Sequence, residues 1–335
     1  MDDFDLDKVI NAKGAEKDLQ KAVRVEQNIK ENINQIISSY TTYKENCDAI
    51  AQKLLLRILN AKELKSIHSA RYRIKEAKSL AVKIIKKKAK LPEIPSDDYD
   101  IEKYRNLDSH NYYKILMDLI GIRILIRYRT EWLTVHQWIR DNFFRGNEWF
   151  VKNCLTDYKD NPGKPFIAEK PKIYYRSNNE LSFYKQIDRD FFEFIKSDEG
   201  YNSIHYIINT DGKYIEIQVR TIFDEAWSEC THDLVYKNKN EEKMFDLTYL
   251  SKCLAQQTNS AELIANLMYI KANDGDNFDA ISNFMNTIDI KTPMNDSVQS
   301  SNYNSETKTS IKNRIDSLNK ETPAFDGKIK NLNMF

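Results

Sequence analysis

The chain has little that breaks or staples a backbone. Only 8 glycines and 7 prolines punctuate 335 residues, so stretches rich in Lys, Glu, Leu, Ile and Ala are free to run as helix. Four cysteines, Cys47, Cys154, Cys230 and Cys253, lie far apart with no C-x-x-C pair. That argues against a zinc site or a disulfide framework and suits a reducing cytoplasm. Neither sign of charge dominates: 51 basic residues face 50 acidic ones, a formal charge of +1, so any basic surface has to be local. No apolar run approaches the roughly 18 residues that span a bilayer. The acidic start "MDDFDLDKVI" also lacks the basic-then-apolar order of an export signal. These absences predict a soluble, cytoplasmic protein without a membrane partner, and the 41% apolar content supports a sizeable core.

What is present is periodic. From about 17 to 59 the apolar positions Leu19, Val23, Ile29, Ile33, Ile36, Ile37, Tyr40 and Tyr43 recur at three-to-four spacing, which predicts one or two amphipathic helices. A brief strand is predicted over 66–73, a basic helix over 75–90, and a break at "LPEIPSDDYD". A helix near 110–118 leads into "IGIRILIRYR", whose alternation is that of a strand. Residues 131–144 read as helix, 145–170 as a loop or insertion, "PKIYYR" as a further strand, and 181–196 as ambiguous. Strands over 204–209 and 213–219 are joined by "TDG", a hairpin signal. Helix is predicted from 221 to about 287, and the polar tail is expected to be disordered at least through 308.

Three stretches could carry chemistry. In "YIEIQVR" the period of two puts Ile215, Ile217 and Val219 on one face and Tyr214, Glu216, Gln218 and Arg220 on the other. Alone this is an amphipathic strand. "GYNSIH" next to it adds Gly200, Tyr201 and His205, and a ring and an imidazole beside a carboxylate suit a nucleobase with its sugar. Upstream, Lys75, Ser79 and Lys83 fall at intervals of four on one helix face, with Arg73 just before it, a combination suited to polyphosphate. A lysine-rich helix is more often a solvated face, and Lys86, Lys87 and Lys88 are read that way. "DLIGIR" sets Asp118 at the mouth of a strand with Arg123 inside it. Two such carboxylates, Asp118 and Glu216, suffice for Mg²⁺, which completes its shell with water and phosphate oxygens.

Taken in order, "RIKEAKSLAVK", "DLIGIR", "GYNSIH", "EIQVRT" and "AWSECTHDLVYK" resemble the RelA/SpoT family over about residues 65–240. These synthetases make (p)ppGpp by moving the β,γ-pyrophosphate of ATP to the 3′-hydroxyl of GDP or GTP. The resemblance implies an α+β fold with a mixed sheet of the nucleotidyltransferase type flanked by helices. It also implies that Arg73 and Arg123 sandwich the ATP adenine and that Lys75, Ser79 and Lys83 hold its phosphates. Asp118 and Glu216 would carry Mg²⁺, with Glu216 also accepting the proton of the attacking hydroxyl. Tyr201 would stack on the acceptor base, His205 and Gln218 would contact the acceptor nucleotide, and Arg220 would support them or tie the strand to the next helix.

The departures from the family pattern bear on function. The single "HD", His232 and Asp233, follows Trp227, away from any hydrolase-type arrangement, so no alarmone hydrolysis and no regulatory C-terminal domains are expected. "FIKSDE" before Gly200 offers only Lys196 as a cation, where GTP-using relatives are more basic. The acceptor therefore stays open between GDP or GTP and, as in toxic small synthetases, adenosine nucleotides or the 3′ end of tRNA. A catalytically silent nucleotide sensor is the remaining alternative, weakened by retention of both carboxylates. The organisation expected is a helical segment over 1–62, a synthetase domain over 63–240, helices packing on it over 241–287 and a polar tail over 288–335. A homo-oligomer or an antitoxin is a possible partner for such a chain.

Overall fold

The computed structural model describes residues 4–143, 165–176, 180–181, 183–185, 189–197, 200–234 and 241–274. The expected tail over 288–335, and most of the insertion expected between 145 and 195, lie outside the described residues. Seven described strands form one mixed sheet: β1 (Ser69–Ile74), β2 (Ile120–Ile126), β3 (Phe166–Ile167), β4 (Lys172–Tyr175), β5 (Glu193–Lys196), β6 (Ser203–Thr210) and β7 (Lys213–Thr221). The order is β1-β2-β7-β6-β4-β5, with β3 pairing on β6. β2 runs parallel to β7, and β1 and β6 flank that pair antiparallel.

Alternation explains the sheet's two faces. Ile120, Ile122, Ile124 and Ile126 of β2, Ile215, Ile217 and Val219 of β7, and Ile204, Tyr206 and Ile208 of β6 all enter one core. Helix α3 (Ile29–Leu59) covers that face with Cys47, Ala51, Leu54 and Ile58, and α7 (Trp132–Asn142) does so with Trp132, Val135, Trp138 and Ile139. The predicted "TDG" hairpin forms, with Asp211 at φ 50° and Gly212 at φ 73°. Two successive positive φ values are those of a type I′ turn, whose twist matches the strands it joins.

The periodic stretch over about 17–59 forms two helices, α2 (Glu16–Val25) and α3, the latter a single rod of 31 residues, and a further helix, α1 (Leu6–Lys13), precedes them. The first half of α3 packs Ile29, Ile33, Ile36 and Tyr40 against Leu80, Ala81, Ile84 and Ile85 of α4 (Ala77–Lys88). One helix thus spans two cores and fixes α4 against the sheet. Lys88 departs from the solvated run predicted for it: its side chain is buried, and its Nζ donates to Glu26 and to the Arg105 carbonyl. A buried ammonium persists only with such partners. The helix expected near 110–118 shrinks to one turn, α6 (Tyr112–Ile115), after the short α5 (Tyr99–Glu102).

After β7 come α8 (Ile222–Leu234) and α9 (Glu241–Asp274), which pack on each other. Trp227 of α8 donates its Nε1–H to the Ser251 carbonyl of α9 at 2.9 Å. Gly200 sits against this pair at φ 94°, where an added Cβ would lie 2.6 Å from the Ala255 methyl and 3.2 Å from the Trp227 ring. Only glycine fits there, on grounds of both space and φ. A buried ionic clasp holds α9 to the rest. Arg129 donates to Glu262 at 2.8 Å and to Glu180 at 3.2 Å, while Arg176 reaches Glu180 at 2.8 Å, Asp224 at 3.0 Å and Glu262 at 3.3 Å. No helix among the described residues is long and apolar enough to cross a membrane.

Candidate active site

The face of the sheet opposite the isoleucines carries the polar residues, and the strand register sorts them into rows. One row runs Arg73, Gly121, Glu216 and Ile207 across β1, β2, β7 and β6. The adjacent row runs Arg71, Arg123, Gln218, His205 and Lys172 from β1 to β4. Residues from distant parts of the sequence thereby share one surface.

Asp118 lies just before β2, and its Oδ2 receives Lys75 at 3.0 Å and Lys83 at 2.5 Å. Burial opposes ionisation of this carboxyl, yet the two ammonium groups outweigh it and hold it down at about 2. Lys75 is itself pushed below its ordinary value, first by burial and then by Lys83, with Asp118 pulling it back. The other oxygen, Asp118 Oδ1, is buried and has no hydrogen-bond partner among the described residues. An unpaired carboxylate oxygen in a cluster this polar is an acceptor site awaiting a ligand.

Glu216 accepts from Gln218 Nε2 at 2.7 Å and pairs with His205 Nδ1 at 3.0 Å. Burial, the largest single influence, raises its pKa, but the interactions with His205 and Gln218 together outweigh it and the net shift is downward. Asp118 is close enough to push the other way. The two carboxylates therefore sense each other's charge. The second nitrogen of His205 lies 2.9 Å from the Tyr201 hydroxyl, and the Tyr174 ring packs against both residues.

Arg220 has every N–H committed. Its Nε donates to Ser203, Nη1 to Ser228 and Glu225, and Nη2 to Tyr201 at 2.6 Å and Gln218 at 3.2 Å. It is 5% exposed, so it can act on a ligand only through the groups it holds. Beside it opens a cavity of about 240 Å³ lined by Arg71, Tyr72, Arg73, Gly121, Ile122, Arg123, Gln218 and Glu229. Among the described residues nothing hydrogen-bonds the Arg73 side chain, whereas Arg71 and Arg123 both donate to Glu225 at 2.5 Å and to Glu229 at 3.1 Å. Ser79, in the first turn of α4, is exposed.

Arg73, Arg123, His205, Glu216, Gln218 and Arg220 thus lie on strands of this face, Lys75 and Lys83 join Asp118 beside it, and Tyr201 bonds to His205 and Arg220; Ser79 has only its place on α4 to connect it. Several participants were not singled out: Arg71, Tyr174, Glu225 and Glu229. Arg71 had a readable signal, because a period of two puts it on the same strand face as Arg73. The glutamates had none, since Arg71 and Arg123, which both of them accept from, lie far away in the chain.

A mixed α+β sheet flanked by helices, with paired carboxylates, lysines and an arginine-lined cavity on one face, has the makings of a phosphoryl-type transferase. Residues 72–241, just over half of the chain, match the family model described as a region found in RelA/SpoT proteins, and the chain belongs to that family of pyrophosphotransferases. Among solved structures it is similar to small alarmone synthetase 1 from Bacillus subtilis bound to its product pppGpp. That match has 15% identity and a TM-score of 0.38, and covers 68% of this chain and 96% of that one. A GTP pyrophosphokinase family protein from Streptococcus pneumoniae matches at 14% identity and a TM-score of 0.35, covering 73% and 93%. The Bacillus enzyme bound to AMPCPP matches at 13% and 0.32, covering 75% and 95%. No curated protein matches the chain.

Proposed function

We propose that the protein transfers the β,γ-pyrophosphate of ATP to the 3′-hydroxyl of GDP or GTP and releases AMP. The observation that carries this reading is the buried, unbonded Asp118 Oδ1 in a carboxylate pair with Glu216, under Lys75 and Lys83. A hard cation prefers such oxygens, and Asp118 with Glu216 would hold Mg²⁺, which when bound would neutralise charge on the phosphates. Lys75 and Lys83, now paired with Asp118, would turn to the ATP phosphates, joined by Ser79 at the start of α4. Arg73 and Arg123, in the lining of the cavity, would take the adenine between flat guanidinium groups.

On the acceptor side Tyr201 offers its ring, and His205 and Gln218 offer polar contacts, while Arg220 holds Tyr201 and Gln218 in place. The acceptor oxygen attacks the β-phosphorus, the bond to the α-phosphate oxygen breaks, and the hydroxyl proton passes to Glu216. At rest Glu216 is a weak base because His205 and Gln218 hold its charged form. An acceptor that draws His205 away would restore its basicity. Positioning and charge neutralisation are all that such a transfer requires.

A second reading, transfer to an adenosine nucleotide or to the 3′ end of tRNA, draws support from the sparse cations near Tyr201. Lys196 is the one cation of β5, and Lys172, across from His205, is paired with Glu169 at 3.0 Å. The test is incubation with γ-labelled ATP, Mg²⁺ and, separately, GDP, GTP, AMP, ATP or deacylated tRNA. Label on GDP or GTP with AMP release is expected. Label only on tRNA or an adenosine nucleotide selects the second reading, and no transfer to any acceptor rejects both in favour of a nucleotide-binding protein.

A further inference from the structure

Glu225 stands where the two halves of the site meet. Its Oε1 receives Arg71 and Arg123, both at 2.5 Å, and these arginines line the donor-side cavity. Its Oε2 receives Arg220 Nη1 at 3.2 Å. Three guanidinium cations therefore share one carboxylate whose side chain is only 10% exposed. Beyond Arg220 the chain of bonds continues without a gap: Arg220 to Tyr201 and Gln218, and Gln218 to Glu216.

From this arrangement we infer that Glu225 is a positioning residue that couples donor and acceptor binding by dividing its charge between the donor-side arginines and Arg220. The inference rests on the donor and acceptor roles proposed above. A charge-assisted bond weakens as more donors share the acceptor. A nucleotide that draws Arg71 and Arg123 toward its own base or phosphates frees Oε1 and leaves the carboxylate to Arg220. Arg220 then holds Tyr201 and Gln218 more firmly, and the acceptor meets a pocket that is already ordered. The two states of the element are the shared and the unshared carboxylate, and each ligand favours the second. By linkage the acceptor must then tighten donor binding by the same factor.

Glu229 is the natural control. It accepts from Arg71 and Arg123 at 3.1 Å but makes no bond to Arg220, and its side chain is 63% exposed. Calorimetry would measure GDP binding to the full-length protein with and without saturating α,β-methylene-ATP, in the presence of Mg²⁺. The wild type is expected to bind GDP at least roughly fivefold more tightly with the analogue present. Glu225→Gln should bring that factor close to one, the factor being the ratio of GDP affinities with and without the analogue in the same variant. Glu229→Gln should keep it. Should Glu225→Gln not fold, Glu225→Asp keeps the charge but shortens the arm, and it should lose the factor likewise. Retention of the wild-type factor in the Glu225 variant, or its equal loss in Glu229→Gln, overturns the inference. A wild type that binds both nucleotides without any factor overturns the coupling alone. One that binds neither overturns the proposed function and the coupling with it.

Discussion

Two clusters of ionised side chains lie within this fold, and they are built on opposite terms. In the clasp, Arg129, Arg176, Glu180, Asp224 and Glu262 have side chains no more than 9% exposed and bond to one another. Among the described residues of the clasp three carboxylates share two guanidinium groups, one negative charge more than positive. Glu180 stays ionised, held down at about 2 by Arg176 and Arg129 against its burial. Glu262 absorbs the excess: burial and the neighbouring Asp224 push it up to about 7 although both arginines oppose this. At the site, by contrast, Lys75 and Lys83 are partly exposed, and among the described residues the Arg73 side chain has no hydrogen bond and Asp118 keeps one oxygen unpaired. The clasp neutralises itself and so holds structure. The site leaves bonding capacity unspent, which is what a ligand needs.

That contrast predicts opposite consequences for similar substitutions. At the site, Glu216→Gln or Asp118→Asn should cut pyrophosphate transfer by at least about 100-fold, since each removes charge aimed at the reacting groups. The melting temperature should stay within a few degrees of wild type. Near-normal transfer by Glu216→Gln would refute its assigned role. In the clasp, Arg129→Ala should cost about 3–5 kcal/mol in urea unfolding, because it strands a buried carboxylate. Gly200→Ala should cost about 1–3 kcal/mol, from overpacking against Ala255 and an unfavourable φ. It tests whether the acceptor loop depends on its seat against α9.

The smallest expected effect is a pH dependence. Between the usual glutamate pKa and about 7, the folded protein retains a proton on Glu262 that the unfolded chain has lost. Stability must then fall as pH rises through that window and level off above it. Glu262→Gln should flatten that limb in thermal melts at pH 5 to 8. An unchanged slope would place the excess charge elsewhere.

The sheet's central strands were legible because isoleucine alternation leaves few options, and "TDG" announced the hairpin that β6 and β7 form. The candidate residues offered by the sequence sit in short ordered motifs, each with its own local logic, whereas Tyr174, Glu225 and Glu229 beside them were not singled out. The clasp was not legible. Arg129, Glu180 and Glu262 carry no pattern in the sequence, and a charged residue gives no sign that it will be buried until its distant partner is known. The short strands β3 and β5 were missed for a related reason, since two or four residues do not establish a period of two. Continuity was also hard to read: the apolar spacing over 17–59 allowed one helix or two, and the chain breaks once there, between α2 and α3.

The parallel pairing of β2 with β7 has a kinetic consequence. Glu216 stands on β7 and Asp118 just before β2, strands that meet only after the long intervening segment has been looped out, and contacts of that range form slowly. Local helices such as α3 and α4 can assemble well before the carboxylates find each other. Recovery of transfer activity after dilution from denaturant should therefore lag behind the return of helical circular dichroism, making turnover a clock for the final stage of refolding.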